Sequence, residues 1–381
     1  MQISDISRVV ETTLSRQLFM LAKQYDDCID FTLGDPDLPT PKTICEAANQ
    51  AAINGKTRYT PNAGLWELRN AIANEATKSS GINYEAENVT ITVGATEAFY
   101  LAFKSILNEG DEVIIIAPYW VQYENICKLL KANPIIVDKF IGGFNPDIEA
   151  VRSVITDKTK VIVFNSPNNP SGCIYNEEIL KKIAHIAVEH NLYVFADEVY
   201  KSLIYQLTYP TIAKYCPRKN LLIFNSFSKQ FAMTGWRIGY VIAEKELTDI
   251  IVKMQQNIAV CVSTLSQYAA LEAIKHSNYY SNAIRNEFSK RRDLLIKELR
   301  DCPNITCNAP QGTFYVFLDI SATGLSAKDF SFKLLEKEHV ATIPGIAFGK
   351  AFNNYVRLAF TINEDKIREG IRRIKNFINT I

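Results

Sequence analysis

The sequence lacks most of the features that assign a chain to a specialised class at once. It has no Cys-x-x-Cys pair: the eight cysteines stand at positions 28, 45, 127, 173, 216, 261, 302 and 307. Cys302 and Cys307 are the closest couple, yet no histidine or second pair accompanies them, which excludes the usual zinc spacings. The thiols therefore read as reduced and buried, as in a cytoplasmic protein. No apolar run approaches the length of a membrane span. The opening stretch, "MQISDISRVVETTLSRQLFMLAKQ", carries Asp5 and Glu11 where a secretory leader would be basic and then apolar, so an amphipathic helix is expected. Neither sign of charge is in excess: 42 Lys and Arg against 41 Asp and Glu leave a net +1. The basic residues are also scattered, so neither nucleic acid nor an anionic membrane is an expected partner.

Two nucleotide signatures are missing as well. No G-x-G-x-x-G occurs, and "GIAFGK" at 345–350 fails as a P-loop. A P-loop has four residues between its glycines and Ser or Thr after its lysine; here there are three, and Ala351 follows Lys350. "LYVFADE" resembles the acid-tipped strand that holds magnesium in nucleotide hydrolases, but without a P-loop that reading fails.

What is present is the pattern of a globular α/β protein. A chain of 381 residues, 47% hydrophobic and 22% charged, is long enough for a large domain and a smaller one. Short β-branched runs recur: "VTITV" at 89–93, "EVIIIA" at 112–117, "PIIVD" at 134–138, "KVIVFN" at 160–165, "LYVFA" at 192–196, "LLIFNS" at 221–226 and "IGYVIA" at 238–243. Strands apolar on both sides belong to a sheet covered on both faces. Amphipathic segments at 96–107, 120–132 and 176–189 separate the early runs, the βαβ rhythm of a mostly parallel sheet. The last two runs follow each other closely and need not be parallel. Thr40 and Pro41 are expected to open a helix that Gly55 closes. Beyond residue 262 one long helix is expected to about 300, then strands "FYVFLD" and "YVRLAF" and a final helix from about 363, an α+β tail.

Polar groups gather where such a sheet binds ligands. In "TVGATEAF" a strand is expected to end at Val93, with Gly94 turning the chain and Thr96 capping a helix whose amides suit a phosphate. "SPNNPSG" at 166–172, "ADEVY" at 196–200 and "SFSK" at 226–229 each follow a strand. Singly, residues 168–172 read as a turn, Asp197 as a helix cap and Arg237 as a surface ion pair. Three carboxyl-terminal strand ends all supplying polar groups point to a binding crevice.

Together with "LGDPD", "YTPNAG", "VGATEA", "PYW", "MTGWRIGY" and "YVRLAF", in this order, these motifs resemble the pyridoxal-phosphate-dependent class I aminotransferases of fold type I over nearly the whole chain. The likeness is greatest to the bacterial branch of aspartate, aromatic and acetyl-diaminopimelate aminotransferases. The resemblance implies a mostly parallel seven-stranded sheet in a large domain at 45–285, and a small domain built from 1–44 and 286–381. It makes Lys229 the amine that condenses with the aldehyde of pyridoxal 5'-phosphate and later serves as the base at the substrate Cα. Asp197 would face the pyridine nitrogen, Asn169 and Tyr200 the ring oxygen, and Trp120 the ring face. Ala95, Thr96, Ser226 and Arg237 would hold the phosphate, joined by Tyr59 from a second copy in a homodimer. Arg357 would clamp the substrate α-carboxylate, and Gly34 would lie on the loop that closes over it. Tyr315 could border the substrate or simply pack in the core. The activity implied is amino transfer from an L-amino acid, aspartate or aromatic for choice, to a 2-oxo acid. A carbon–sulfur β-lyase on the same fold, and a non-catalytic regulatory domain of aminotransferase type, stand as alternatives.

Overall fold

The structure, a computed structural model, describes residues 3–10, 12–205 and 208–381. Strand β1 is Ile29–Asp30. Seven strands then form the main sheet: β2 (Val89–Thr92), β3 (Glu112–Ile116), β4 (Asn133–Val137), β5 (Thr159–Asn165), β6 (Tyr193–Asp197), β7 (Leu221–Ser226) and β8 (Gly239–Ile242). The tail supplies β9 (Tyr315–Asp319), β10 (Val340–Ala341), β11 (Ile343–Pro344) and β12 (Tyr355–Ala359).

The main sheet runs β2-β8-β7-β6-β5-β3-β4. Only β8 is antiparallel, to both β2 and β7, so the departure from parallel pairing falls at the closely spaced last pair of runs. Period-two alternation divides its side chains between two cores. Ile114, Ile116, Ile162, Phe164 and Ile223 point to one, and Val113, Ile115, Val163, Phe195 and Phe224 to the other. Both faces are therefore dry, which is why these strands carry hardly any polar residue until their ends. The helix Glu177–Glu189 shows how a crossover is specified: the Asn176 side chain accepts from the Ile179 amide, and Glu177 and Glu178 occupy the positive first turn. A third core, with Val316, Leu318, Val356 and Leu358, lies under the antiparallel sheet β11-β12-β9.

Several expectations need correction. The N-terminal helix is Leu14–Ala22, capped by Thr13 and preceded by a short turn of 3-10 helix at Asp5–Arg8. Met1, Gln2 and Glu11 lie outside the described residues. Thr40 does not cap the helix Lys42–Ile53; its hydroxyl donates instead to the Ala232 carbonyl at 2.6 Å, and Pro41 takes the cap position. Thr96 caps nothing either, since the helix Gly94–Ile106 already contains it in the first turn. The long helix beyond 262 is two, Thr264–Lys275 and Ser277–Leu299, broken at His276. No disulfide forms among the described residues, and Cys45 is exposed rather than buried. Among the described residues no helix is long and apolar enough to cross a membrane.

Candidate active site

All the main-sheet strands except β8 point their carboxyl ends to one edge, where β2 ends at Thr92, β5 at Asn165, β6 at Asp197 and β7 at Ser226. A cavity of about 410 Å³ opens over that edge and is closed from the other side by the Gly34 loop, β9 and β12. Of the residues singled out from the sequence, the structure brings Gly34, Ala95, Thr96, Trp120, Asn169, Asp197, Tyr200, Ser226, Lys229, Arg237 and Arg357 to this one cavity. Tyr59 alone is elsewhere. It is 86% exposed and lines a separate cleft with Arg58 and residues 261–264.

At one end, Gly239 of β8 pairs with both Thr92 and Ser226, and a Cβ there would meet the Ala95 amide nitrogen at 2.8 Å. Glycine thus lets the start of the helix Gly94–Ile106 pack against the strand ends. No side chain caps that helix, and Ala95 and Thr96 of its first turn line the cavity, where uncapped first-turn amides can serve an anion. Gly94 has φ +72 and leaves room for the Arg237 guanidinium, whose Nη2 would stand 2.5 Å from an added Cβ. Arg237 is itself left-handed at φ +51, turned back so that its Nη1 donates to the Thr234 carbonyl at 2.9 Å. Ser226 caps the short helix Phe227–Gln230, its hydroxyl accepting from the Ser228 amide at 3.1 Å.

Lys229 follows on that helix. Its Nζ donates to the Gly34 carbonyl at 2.5 Å and lies 5.8 Å from the centre of the Phe314 ring. Burial lowers its pKa to about 8; Asp35 opposes the shift, while Arg237 and Arg357 add to it. Asp197 is 5% exposed. Its Oδ1 accepts from the Val199 amide at 3.1 Å and its Oδ2 from the Tyr123 hydroxyl. Burial raises its pKa to about 6 against the pull of those hydrogen bonds. Trp120 stands edge-on to Tyr123, ring centres 5.5 Å apart, at the cavity wall.

At the far end, Arg357 is 5% exposed in the middle of β12. Its Nη1 donates to Asn169 Oδ1 at 3.1 Å and its Nη2 to the Thr32 carbonyl, while Nε has no partner. The guanidinium carbon lies 4.4 Å from the Tyr315 ring centre and 5.1 Å from that of Phe348. Tyr200 and Tyr315 share a hydrogen bond of 3.1 Å between their hydroxyls.

The sequence reasoning missed other cavity residues. Asn165, whose Oδ1 accepts from the Asn169 amide at 2.7 Å, could have been found as the polar last residue of a strand directly before "SPNNPSG". Tyr123 does not line the cavity but is buried behind it, bonded to Asp197, and has a fainter signal, three residues after Trp120 in "PYWVQY". Thr13 and Ser15 reach the cavity from the N-terminal helix, and nothing local to their sequence announces it.

Among the described residues, Asp197 has no basic ion-pair partner, and Lys229, Arg237 and Arg357 have no acidic one. Asp197 and Arg357 are buried, Lys229 is half-buried and Arg237 is exposed at the cavity's rim; buried charge is costly unless paired, so the cavity is made for a ligand carrying the complements. A positive ring nitrogen would answer Asp197, a phosphate Arg237 and the amides beside it, and an aldehyde Lys229. The residues present fit pyridoxal phosphate.

The comparisons agree. The family model described as aminotransferase class I and II matches residues 26–374. The chain belongs to that family, and it is a pyridoxal-phosphate-dependent aminotransferase of fold type I. It is 40% identical to an aspartate aminotransferase of Pyrococcus horikoshii, over 98% of this chain and 96% of that one. It is 38% identical to a probable N-acetyl-LL-diaminopimelate aminotransferase of Bacillus subtilis, over 98% and 94%. Among solved structures, the aspartate aminotransferase of Thermus thermophilus with maleate superposes at a TM-score of 0.94, with 34% identity and 100% of both chains covered.

Proposed function

We propose that this aminotransferase moves an amino group between an L-amino acid and a 2-oxo acid in two half-reactions, with aspartate or an aromatic amino acid as its best donor. The observation that carries the reading is the set of unpaired charges around one cavity: Asp197, Lys229, Arg237 and Arg357. The names of the Pyrococcus and Thermus relatives support the choice of aspartate.

Pyridoxal phosphate, when bound, supplies an aldehyde and a ring that accepts electrons from the substrate Cα. The chain's residues do the rest. Ala95 and Thr96, through their amides, with Ser226 and Arg237, bind the phosphate. Asp197 holds a proton on the ring nitrogen: a carboxylate about 4 Å from a cation is worth roughly 4 kcal/mol at an effective dielectric of about 20. Tyr200 and Asn169 hydrogen-bond the ring oxygen, and Trp120 covers the ring. Lys229 would hold the aldehyde carbon and, as the free amine, would take the Cα proton; burial lowers its pKa to about 8, which leaves a usable fraction of free amine near neutrality. Arg357 fixes the substrate carboxylate in one plane with its two-pronged fork, with Asn169 beside it and Gly34 on the loop that closes over the substrate.

The same reading makes the active unit a homodimer in a reducing, cytoplasmic setting. The 86% exposure of Tyr59 supports the first, since the ring is available to a second copy. Eight free cysteines support the second. The large domain at 45–285 would supply the cofactor's ligands, and the small domain, from 1–44 and 286–381, Gly34 and Arg357. Screening amino donors against 2-oxoglutarate and pyruvate tests the function. Turnover should be fastest with aspartate or an aromatic donor; pyruvate released without need of an oxo acid would overturn it in favour of a β-lyase.

A further inference from the structure

One buried residue of the cavity has no role in this account, yet it touches three groups that have. Tyr315, 3% exposed, opens β9 and pairs with Ala359 two residues beyond Arg357. Its ring is the platform under the Arg357 guanidinium, 4.4 Å from centroid to carbon. Its hydroxyl bonds that of Tyr200 at 3.1 Å. That hydroxyl also fills the space above Gly34, where an added Cβ would stand 1.7 Å from it, and the Gly34 carbonyl is the acceptor of Lys229.

We infer that Tyr315 is a positioning residue that ties the carboxylate clamp to the hydroxyl facing the cofactor ring, its ring aligning Arg357 and its hydroxyl donating to Tyr200. This rests on the roles proposed above for Arg357 and Tyr200. Two hydroxyls sharing one hydrogen bond leave one hydrogen over, and neither has another hydrogen-bond partner among the described residues. A cation on the face of a phenol makes its hydroxyl the better donor, and Arg357 stacks on Tyr315. Burial pushes the Tyr315 phenol up, and the Arg357 cation pulls against it. The other charges near the pair are Asp197 beside Tyr200 and Asp35 beside Tyr315; Arg357 also reaches Tyr200, but of the two tyrosine rings its guanidinium stacks on that of Tyr315 alone. Tyr315 therefore gives its hydrogen to Tyr200, and the Tyr200 hydrogen is left for the cavity. Hydrogen bonds in such a chain reinforce one another, so Tyr200 becomes a stronger donor.

The test uses the holoenzyme and separates ring from hydroxyl. Tyr315→Phe keeps the platform and removes the donor, so maleate should bind within about twofold of wild type. The pH midpoint of the bound cofactor's visible absorbance should rise by about half a unit, because Tyr200 then stabilises the ring's anionic oxygen less. Tyr315→Leu removes the platform, and maleate binding should weaken about threefold to tenfold. Arg357→Ala is the control. If it weakens maleate binding while Tyr315→Leu does not, the inference is overturned and the clamp stands. If Arg357→Ala itself has no effect, the clamp and the inference fall together. Should Tyr315→Leu not fold, the titration of Tyr315→Phe decides alone, and an unmoved midpoint overturns the inference.

Discussion

The two ends of the cavity are built in different ways. The end that would take the phosphate is local: helix Gly94–Ile106 follows β2 within two residues, Ser226 ends β7, and Arg237 comes just before β8. Its donors are backbone amides and an exposed arginine, held by short turns. The end that would take the carboxylate is assembled over long distances. Arg357 reaches Asn169 across 188 positions and Thr32 across 325, and Lys229 reaches Gly34 across 195. The first end is a rigid shelf on the main sheet. The second exists only when the chain's two extremities meet over that shelf, which suits a site that must admit and release a substrate at each turnover while keeping its cofactor.

The difference can be sharpened by breaking each part in turn. Lys229→Ala touches both ends and should have the largest effect, a loss of transamination by about 10⁴-fold with cofactor still bound non-covalently. Borohydride reduction of the wild-type enzyme followed by peptide mapping should leave the pyridoxyl group on Lys229; a label on any other lysine sinks the assignment. Arg357→Ala should come next. Leaving a substrate anion unpaired in a desolvated site costs on the order of 2–5 kcal/mol, about 30-fold to several thousand-fold in kcat/KM, for every amino acid donor. Lysine at 357 should restore only part of this, since a point charge does not fix the carboxylate plane. Asp197→Asn should lower kcat by roughly a hundredfold and spare cofactor retention. Wild-type turnover in that variant would remove Asp197 from the chemistry.

The smallest effect is one of pH. Only the free amine attacks an aldehyde, and burial has lowered Lys229 to about 8. Cofactor uptake by the apoenzyme should therefore quicken as pH rises and level off above about 8, rather than climbing towards the ordinary lysine value near 10.4. Stopped-flow absorbance would follow it.

The same contrast governs what could be read from the sequence. The shelf was legible because it is made of adjacent residues: β-branched runs that stop at Asp197 or Ser226, and Gly94 with its flanking Ala95 and Thr96. The resemblance to a family gave Arg357 and Gly34 their places; their neighbours stayed hidden. Tyr315 looked equally like core because its partners, Tyr200 and Arg357, lie on other elements. Thr40 looked like a cap because its true acceptor, the Ala232 carbonyl, is 192 positions away. The break at His276 went unseen because neither proline nor glycine marks it.

If the two ends are separate constructions, their arginines should fail in separate ways. The direct measurement is cofactor dissociation constant and donor kcat/KM, both determined for Arg237→Ala, Arg357→Ala and the double variant. Arg237→Ala should weaken cofactor binding by about tenfold or more. Saturated with cofactor, it should keep most of its kcat/KM. Arg357→Ala should do the reverse, and the double variant should show the sum of the two free-energy losses within about 0.5 kcal/mol. Equal damage to both quantities by either single change, or strong non-additivity in the double, would contradict the account.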